Sequence, residues 1–425
     1  MEEKHYHFSE IVRYALDIGE MTHLAGGEVS RVEDMISRIC YAYGAKKVDV
    51  LTITSVTIVT VISPEGEPIT QIRRVKNQTR DMTRLDALNN LSREICATLP
   101  SPDHIHERLV EIKKIRSMRW YISALAAVLS ASFFTLFFGG SWRDFLATIP
   151  VALAIFALEK ATKRTNINKI VNYLLISFVA GAVSVLMVHI GVGENINTIM
   201  IGAIMILIPG VSMTGAFEDL LSGDTITGLL QLCEATLVAV SIAVGFAIAT
   251  YVCGGFSMLN DGTPMPAPWI QISTAFMAAA GFSVVFGFKK PVRVIFAALG
   301  GGLCHLFYIL ISLAGANEVI CLLVATVIGA IYSQILARVL RTPATVFALP
   351  TIISLVPGRA LYYTMSWALR GNFTKFYTWG LNTVLWALSI AFGLMAVMVT
   401  TSVITSIIRK MRLKKIEAKA QAKRK

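Results

Sequence analysis

A single acidic side chain, Glu234, lies well inside an apolar run of this chain, as the seventh residue of the segment 228–252. A carboxylate at that depth is costly unless it is protonated, paired or in contact with water, so it marks a candidate site for ion chemistry. Proton coupling and pairing with a cation are the roles that suit it, and a structural hydrogen bond to a neighbouring helix is the alternative. Gln231 and Thr227 lie on the same face at helical spacing and extend this polar stripe.

A histidine, His305, also lies within an apolar run, where it follows the triple glycine 300–302. An imidazole can relay protons near neutral pH, but a buried histidine can equally serve in packing. Three acids, Glu218, Asp219 and Asp224, follow another apolar run. We find no Ser/His/Asp, HExxH or paired-aspartate arrangement, and no CxxC spacing among the six cysteines. The sequence therefore predicts a protein that is not an enzyme and needs no metal or cofactor.

A Pro-Gly pair occurs in two similar apolar segments, 203–210 and 351–358, which lie 148 residues apart. The similarity continues at the same offset, with six of nine residues identical between 237–245 and 385–393. A shared Pro-Gly pair and a constant offset are hard to obtain from apolar composition alone. Internal repeats of membrane segments are typical of transporters.

Each Pro-Gly pair is predicted to break its helix, because proline removes a backbone donor and glycine relieves the following turn. Freed backbone within a membrane is tolerated where it lines a cavity or is buried in protein. The segment after each break would begin a half-helix whose free N–H groups favour a carboxylate or another anion. A plain proline kink in a packed helix is the alternative. The candidate substrate-binding or gating residues are Pro209, Gly210, Ser212, Thr214, Asp219, Pro357, Gly358, Arg359, Tyr362 and Asn382, and the candidate proton-coupling residues are Glu234, whose repeat partner is Asn382, and His305.

Charge and hydropathy divide the chain into three parts, which must position these residues. Hydrophobic residues make up 55% of the 425, and the mean hydropathy of +0.63 is far above that of a soluble globular chain. Residues 1–119 carry 17 basic and 17 acidic side chains, 120–408 carry 13 and 9, and 409–425 carry nine and one. These parts are predicted to be a soluble domain, a membrane domain and a basic tail. The net charge of +12 thus indicates membrane topology rather than affinity for nucleic acid.

The membrane domain contains about ten apolar runs of spanning or nearly spanning length. With ten spans, most of the connecting lysines and arginines fall on one side, which by the positive-inside rule makes both termini cytoplasmic. The loop between the ninth and tenth spans departs from this rule, because the segment after its Pro-Gly pair carries Arg359, Arg370 and Lys375. The runs lie near 120–139, 143–159, 170–190, 196–215, 228–252, 268–288, 292–314, 317–337, 343–366 and 377–408.

The two Pro-Gly pairs lie on the fourth and ninth spans. Because this separation is an odd number of helices, the two copies are predicted to run in opposite directions across the membrane. The expected architecture is a mainly α-helical membrane protein with a 5+5 inverted repeat in which helices four and nine are broken. Unit one covers 120–252, unit two covers 268–408, and 253–267 is the linker between them.

The N-terminal domain 1–119 is predicted to be α+β, with four amphipathic helices and a β-rich centre. Arg31, Glu33 and Asp34 crowd the start of its second helix. Solvated ion pairs are one interpretation of this group, and a contact that regulates the membrane domain is the other. The helical segments are 8–25, 28–43, 82–98 and 101–115, and the β-rich segments are 48–62 and 68–75.

Segment 15–34, which reads Ala-Leu-Asp-Ile-Gly-Glu-Met and ends in Ala-Gly-Gly-Glu-Val-Ser-Arg-Val-Glu-Asp, resembles the N-terminal signature of the threonine/serine exporter family. Segment 207–228, with its Leu-Ile-Pro-Gly and Asp219–Asp224, resembles the end of that family's first membrane unit. Unit two, with Leu-Val-Pro-Gly at 355–358, resembles the smaller subunit that some members encode separately. The resemblance implies export of threonine and serine, driven by the membrane potential or a proton gradient. Split relatives are linked with export of dicarboxylates, succinate in particular.

Together these observations predict a secondary carrier of the plasma or inner membrane that exports threonine and serine by proton antiport and alternating access. Its partners would be the small-molecule substrate, protons and the lipid bilayer, without nucleic acid, and a homo-oligomer is compatible with this interpretation. A dicarboxylate exporter is one alternative. Two others are a channel, whose broken helices would frame a constriction, and a membrane sensor that binds its ligand without flux.

Overall fold

Helices dominate the computed structural model of the chain, which combines a small N-terminal domain with a bundle of long apolar helices. The described part contains sixteen helices and one three-stranded sheet. The predicted class, a mainly α-helical membrane protein with a small α+β domain at its N-terminus, is therefore confirmed. The predicted linker lies partly outside the described residues, at 255–262. The structure describes residues 8–75, 81–115, 118–162, 165, 167–207, 209–254 and 263–422.

The N-terminal domain packs its first two helices against an antiparallel sheet whose three strands lie in chain order, and its other two helices pack mainly on the first two. The β-rich segment 48–62 forms most of two paired strands that turn at Thr54-Ser55. Since strands average roughly 5–6 residues, a run of this length folds back on itself. The core is apolar and fully buried, with Leu16 and Ile36 at its centre. The elements are α1 (Phe8–Leu24), α2 (Val29–Ala42), β1 (Lys47–Ile53), β2 (Val56–Ile62), β3 (Pro68–Arg74), α3 (Met82–Thr98) and α4 (Pro102–Lys113).

Eight helices of the described chain are long and apolar enough to cross a membrane. Seven of them are similar in length to the predicted spans, and the last continues without interruption into the basic tail. Its C-terminal extension is therefore helical as far as Ala422. The eight are α5 (Trp120–Phe137), α6 (Trp142–Thr162), α7 (Lys169–His189), α10 (Thr225–Val252), α11 (Pro268–Val285), α12 (Pro291–Leu313), α13 (Glu318–Leu340) and α16 (Phe373–Ala422).

The fourth and ninth spans are each divided into two shorter helices, as predicted. The fourth consists of α8 (Ile196–Ile204) and α9 (Gly210–Ser222), and the ninth of α14 (Ala344–Ile352) and α15 (Gly358–Leu369). In both spans the second helix begins at the glycine of the Pro-Gly pair. The preceding proline can start a helix but lacks the N–H group that would continue the helix before it.

Residues at equivalent positions of the two units meet where α5 packs on α11. Ser130 Oγ donates to the Ala278 carbonyl at 3.4 Å, and the ring centroids of Phe134 and Phe282 are 5.7 Å apart. Both pairs are separated by the 148-residue offset of the repeat, and contacts between equivalent residues are expected along a two-fold axis. The second halves of the broken helices also pack across the two units. The helix α9 of unit one contacts α16 of unit two, and α15 of unit two contacts α10 of unit one. The inverted orientation of the units stays a prediction.

Two glycines at the same offset allow the last helix of each unit to pack closely on its neighbour. A Cβ atom at Gly245 of α10 would lie less than 3.0 Å from Ser177 Oγ and the Leu174 carbonyl oxygen of α7. A Cβ atom at Gly393 of α16 would lie less than 3.0 Å from Thr326 Cβ of α13. Small residues permit this close approach of helix backbones in membranes.

The N-terminal domain docks on both units of the membrane domain. The start of α3 contacts the loop before α12, where Met82 N donates to the Phe286 carbonyl at 2.9 Å. Nearby, both terminal nitrogens of Arg293 lie 3.0 Å from Asp86 Oδ2, and the two side chains are only 19% and 12% exposed. On unit one, Thr227 of α10 donates to the Thr52 carbonyl at 3.5 Å.

We expect Asp86→Asn to weaken docking by about 2 kcal/mol, because it removes a charge-assisted pair and leaves the guanidinium without its anion. Hydrogen exchange of the α3 backbone amides measures this loss. The matched control is Asp49→Asn, since Asp49 pairs with Lys47 at 2.7 Å in a position where both side chains are more than 60% exposed. The control should leave exchange of the α3 amides unchanged, because an exposed pair contributes little. Equal losses in the two variants would show that the Asp86 pair does not hold the domain.

Candidate functional site

Two helix N-termini face the breaks in the fourth and ninth spans. Pro209 and Pro357 occupy the N-cap positions of α9 and α15, and neither provides a side-chain hydrogen bond to the first turn. Because the first N–H groups of a helix have no partner within it, both ends carry partial positive charge. Ser212 lies partly exposed in the first turn of α9, and Thr214 donates to the carbonyl of Gly210 at 3.1 Å. The arrangement suits a negatively charged group at each break.

Arg359 adds a full positive charge to the start of α15. Its guanidinium donates to the Thr263 carbonyl at 3.1 Å and lies 5.6 Å from the ring centroid of Tyr363. Among the described residues, no carboxylate lies within ion-pair distance of it. Glu318 is close enough to interact with Arg359 only at longer range. An anionic ligand could therefore pair with this guanidinium.

A buried hydrogen bond joins the two broken spans to each other. Tyr362 Oη of α15 donates to Asn197 Oδ1 of α8 at 3.1 Å, and the hydroxyl lies 3.8 Å from Met200 Sδ. Asn197 is fully buried and Tyr362 nearly so. Since the two helices belong to different units, any separation of the units along this contact must break the bond and expose both groups.

Five partly buried carboxylates form an acidic cluster between the N-terminal domain and the end of α9. Two come from the start of α2 or just before it, two from the last turns of α9 and one from the loop that follows. They are close enough to interact electrostatically, and Arg31 contributes one positive charge among them. Arg31 and Glu33 therefore lie at a contact with the membrane domain, and a regulatory role for this contact stays a prediction. The cluster comprises Glu28, Glu33, Glu218, Asp219 and Asp224.

Hydrogen bonds hold two members of the acidic cluster in place. Gln231 Nε2 of α10 donates to Asp219 Oδ2 at 2.8 Å, and the Thr52 backbone N–H donates to Glu33 Oε1 at 2.7 Å. Burial raises the pKa of Glu33, the Thr52 N–H opposes this shift, and the nearby Asp224 carboxylate adds to it. Carboxylates that share a site in this way favour proton uptake. The cluster can therefore bind protons or a cation such as an ammonium group.

Because the pKa of Glu33 is raised in the folded protein, folding shifts its balance toward the neutral form relative to the unfolded chain. Its contribution to stability is complete below the ordinary value of 4.5 and is lost as the pH rises through the raised pKa. We expect Glu33→Gln to remove this loss, so that the stability difference between variant and wild type grows from pH 4.5 upward. Thermal unfolding across this pH range measures it. A constant difference at every pH would contradict a raised pKa for Glu33. Burial lowers the pKa of His23, but His23 is present in both proteins, so its contribution to the pH dependence cancels.

Glu234 lies apart from this cluster. Its carboxylate forms an ion pair with Lys169 at the start of α7, and the two side chains are 52% and 58% exposed. The proton-coupling role of Glu234 stays a prediction, as does the role of its repeat partner Asn382, which lies partly exposed in α16.

His305 lies deep in the membrane domain with different neighbours. Its Nε2 is 3.1 Å from Gln271 Oε1, and its ring packs on Phe137 and Tyr308 at centroid distances of 4.7 and 5.3 Å. Only 2% of the residue is exposed. The structure thus does not bring His305 and Glu234 together, and the proton-coupling role of His305 also stays a prediction.

Asn197 and Glu28 are site residues that the sequence alone does not reveal. Asn197 lies two residues after the capping Asn195, so from sequence it looks like part of a helix start. Glu28 precedes α2 without capping it, and only its position opposite Glu218 gives it meaning. Neither residue carries a local pattern that distinguishes it from ordinary helix-terminal polar residues.

Comparison with known families covers nearly the whole chain. A model for threonine/serine exporters matches residues 13–253, which include the N-terminal domain and unit one. A second model, described as "Threonine/Serine exporter, ThrE", matches residues 271–400 in unit two. No solved structure matches the chain.

The individual relatives have low sequence identity to this chain, but their matches cover long stretches of it. The "Probable threonine/serine exporter" of Mycobacterium tuberculosis is 22% identical over 376 residues, covering 84% of this chain and 69% of that protein. The "Threonine/serine exporter" of Corynebacterium glutamicum is 22% identical, with coverages of 85% and 76%. The "Probable succinate transporter subunit YjjP" of Escherichia coli is 23% identical over 57% of this chain and 95% of its own length. With eight apolar helices of spanning length, this chain is a multi-pass membrane protein and belongs to the threonine/serine exporter family.

Proposed function

We propose that this protein is a secondary active exporter of threonine and serine that exchanges them for protons. The observation that carries the proposal is the acidic cluster at the end of the broken fourth span. A zwitterionic amino acid needs a negative site for its ammonium group, and partly buried carboxylates supply one. Membership of a transporter family supports transport rather than an enzymatic reaction.

The carboxylate of the amino acid would bind at the breaks, where Arg359 and the N-terminus of α15 provide positive charge. Its ammonium group would pass Asp219 and Glu218, which lie near the C-terminal end of α9. Protons and the ammonium group would then compete for the same carboxylates, and such competition is a physical basis for antiport. Glu234 and His305 are the alternative positions for the coupled proton.

Alternating access would arise from movement of one unit against the other. The Tyr362–Asn197 hydrogen bond would close one side of the pathway, and the contact between the acidic cluster and the N-terminal domain would control the other. The excess of basic residues in the connecting loops favours cytoplasmic N- and C-termini in the cell or inner membrane. The acidic cluster would then face the cytoplasm, from which an exporter takes its substrate.

Export of a dicarboxylate is the second candidate, because a relative named as a succinate transporter subunit matches 57% of the chain. Five carboxylates at the mouth of the pathway would repel a dianion such as succinate. The electrostatics therefore favour the amino acid.

Efflux from proteoliposomes loaded with labelled threonine, serine or succinate tests the proposal, with and without an imposed pH gradient. We expect threonine and serine efflux that the gradient stimulates, and little succinate efflux. Succinate efflux alone would assign the protein to dicarboxylate export, and downhill flux that ignores the gradient would indicate a channel. Glu234→Gln and Lys169→Gln both break the ion pair between these residues, but only Glu234→Gln also removes the acid that would carry the proton. Loss of gradient-driven efflux in Glu234→Gln alone would therefore indicate a coupling role. Absence of all three fluxes would favour a sensor.

A further inference from the structure

Two cationic residues lie on the non-cytoplasmic side of the predicted topology, where the positive-inside rule does not expect basic side chains. Arg370 follows the last residue of α15, and Lys375 lies in the first turn of α16. Both stack on the ring of Trp367, with Arg370 Cζ at 4.6 Å and Lys375 Nζ at 4.0 Å from its centroid. Since Trp367 is only 7% exposed, both charges are held around one fixed ring.

An apolar groove begins at Arg370 and runs between the two units. It holds about 570 Å³, counting the part that is open to the surroundings, and Arg370 lies in its wall. Unit one supplies α8 and α10 to the groove, and unit two supplies α15. The wall is mostly apolar, with Met200, Ile242, Phe246 and Met365 among its residues.

Exposed aromatic side chains mark the same level of the bundle. Tyr251 at the end of α10 is 79% exposed, and Phe373 and Tyr377 at the start of α16 are 72% and 69% exposed. Aromatic residues concentrate at the boundary between the hydrocarbon core and the lipid headgroups. Arg370 and Lys375 therefore lie at headgroup level, and the groove extends from them toward the hydrocarbon core.

We propose that this groove binds an anionic phospholipid, with its phosphate on Arg370 and Lys375 and one acyl chain along the apolar wall. The guanidinium matches a phosphate in geometry as well as charge, and a second cation beside it favours a headgroup with net negative charge over a zwitterionic one. The apolar wall explains why a free phosphate ion is not the ligand. Because both units and Tyr362 line the groove, the lipid holds α15 against α8 and α10.

The test uses the full-length purified protein in mixed micelles of detergent with phosphatidylglycerol or phosphatidylcholine. Native mass spectrometry counts retained lipid, and thermal unfolding measures protection. We expect phosphatidylglycerol to be retained and protective, and Arg370→Gln/Lys375→Gln to lower its affinity about tenfold. The matched control, Lys289→Gln/Arg338→Gln, removes one lysine and one arginine from other exposed positions and should retain the lipid. Equal retention by wild type and the Arg370/Lys375 double variant would overturn the proposal.

A second variant tests the acyl-chain part of the site. Ala243→Phe fills the groove from α10 while both cations remain, so phosphatidylglycerol retention should fall about tenfold here too. Unchanged retention would contradict binding in the groove. Glycerol phosphate, which carries the anionic group without a chain, should give no protection. Protection by glycerol phosphate equal to that by the lipid would show that the cations form a site for free anions instead.

Discussion

Replacing Asp219 with asparagine is expected to lower gradient-driven threonine efflux by about 10- to 100-fold, with the protein still folded. Asparagine has nearly the same shape and can still accept the hydrogen bond from Gln231, which donates to Asp219 at 2.8 Å. It can neither carry the negative charge that attracts an ammonium group nor take up a proton. Loss of a charge-assisted interaction of about 1.5–3 kcal/mol gives a rate effect of this size. The initial efflux rate from proteoliposomes at matched protein content measures it.

The matched control is Asp34→Asn, which makes the same chemical change in the same region. Asp34 is 53% exposed and pairs with Arg38 at 2.8 Å within α2. This variant should export threonine within about twofold of the wild type, because an exposed pair contributes little. Wild-type efflux from Asp219→Asn would remove the acidic cluster from the transport pathway. Glu234 and His305 would then be the remaining candidates for proton coupling.

The second large effect is expected from Gly245→Ala, which should destabilise the membrane domain by about 1–3 kcal/mol or prevent its folding. The added methyl group would meet a backbone carbonyl of Leu174 as well as Ser177 Oγ, both at less than 3.0 Å. A backbone group cannot rotate away, so α10 and α7 must move apart. Gly393→Ala should be destabilising for the same reason at the equivalent crossing of α16 and α13. Thermal unfolding of the detergent-solubilised protein and its yield from membranes measure both effects.

Gly380→Ala is the control for these variants, since Gly380 also lies in a long membrane helix. A Cβ atom there would meet Thr364 Cγ2 at 3.5 Å, which is ordinary van der Waals contact. Its stability should equal that of the wild type or exceed it slightly, because alanine favours helix. If Gly245→Ala is as stable as Gly380→Ala, the close crossing of α10 and α7 does not determine the packing of unit one.

Much of the fold was predictable because its signals are local. The Pro-Gly pairs act through their own backbone, so the breaks before Gly210 and Gly358 could be read directly from the sequence. The repeated glycines in 237–245 and 385–393 also have a local meaning, since each makes room for a neighbouring helix. Run length predicted the eight long apolar helices of the described chain, and two pairs of shorter helices lie where the fourth and ninth spans were predicted. The turn within 48–62 was less visible, because Thr54 and Ser55 are not strong turn residues.

The candidate site was predicted less well, because its members come from distant parts of the chain. Asp219 was identified from the acidic residues around it, but its neighbour Glu28 lies about 190 residues earlier and in another domain. Glu234 was a candidate because it is an acid in an apolar run. The beginning of that run proved to lie near the start of α7, where Lys169 pairs with it. Depth within an apolar run is thus a weaker guide to position than the packing of the helices around it.

The docking of the N-terminal domain adds a further connection between the two units, beyond the linker and their direct packing. This connection passes through the domain, from Thr227 of α10 to Asp86 and Arg293 at the start of α12. After a protease cut within the linker, the direct packing and the docked domain would both keep the two fragments together. The same closed path has a mechanical effect, because any tilt between the units must strain the domain or one of its attachments. A ligand that stiffens or reshapes the domain would change the tilt without entering the membrane.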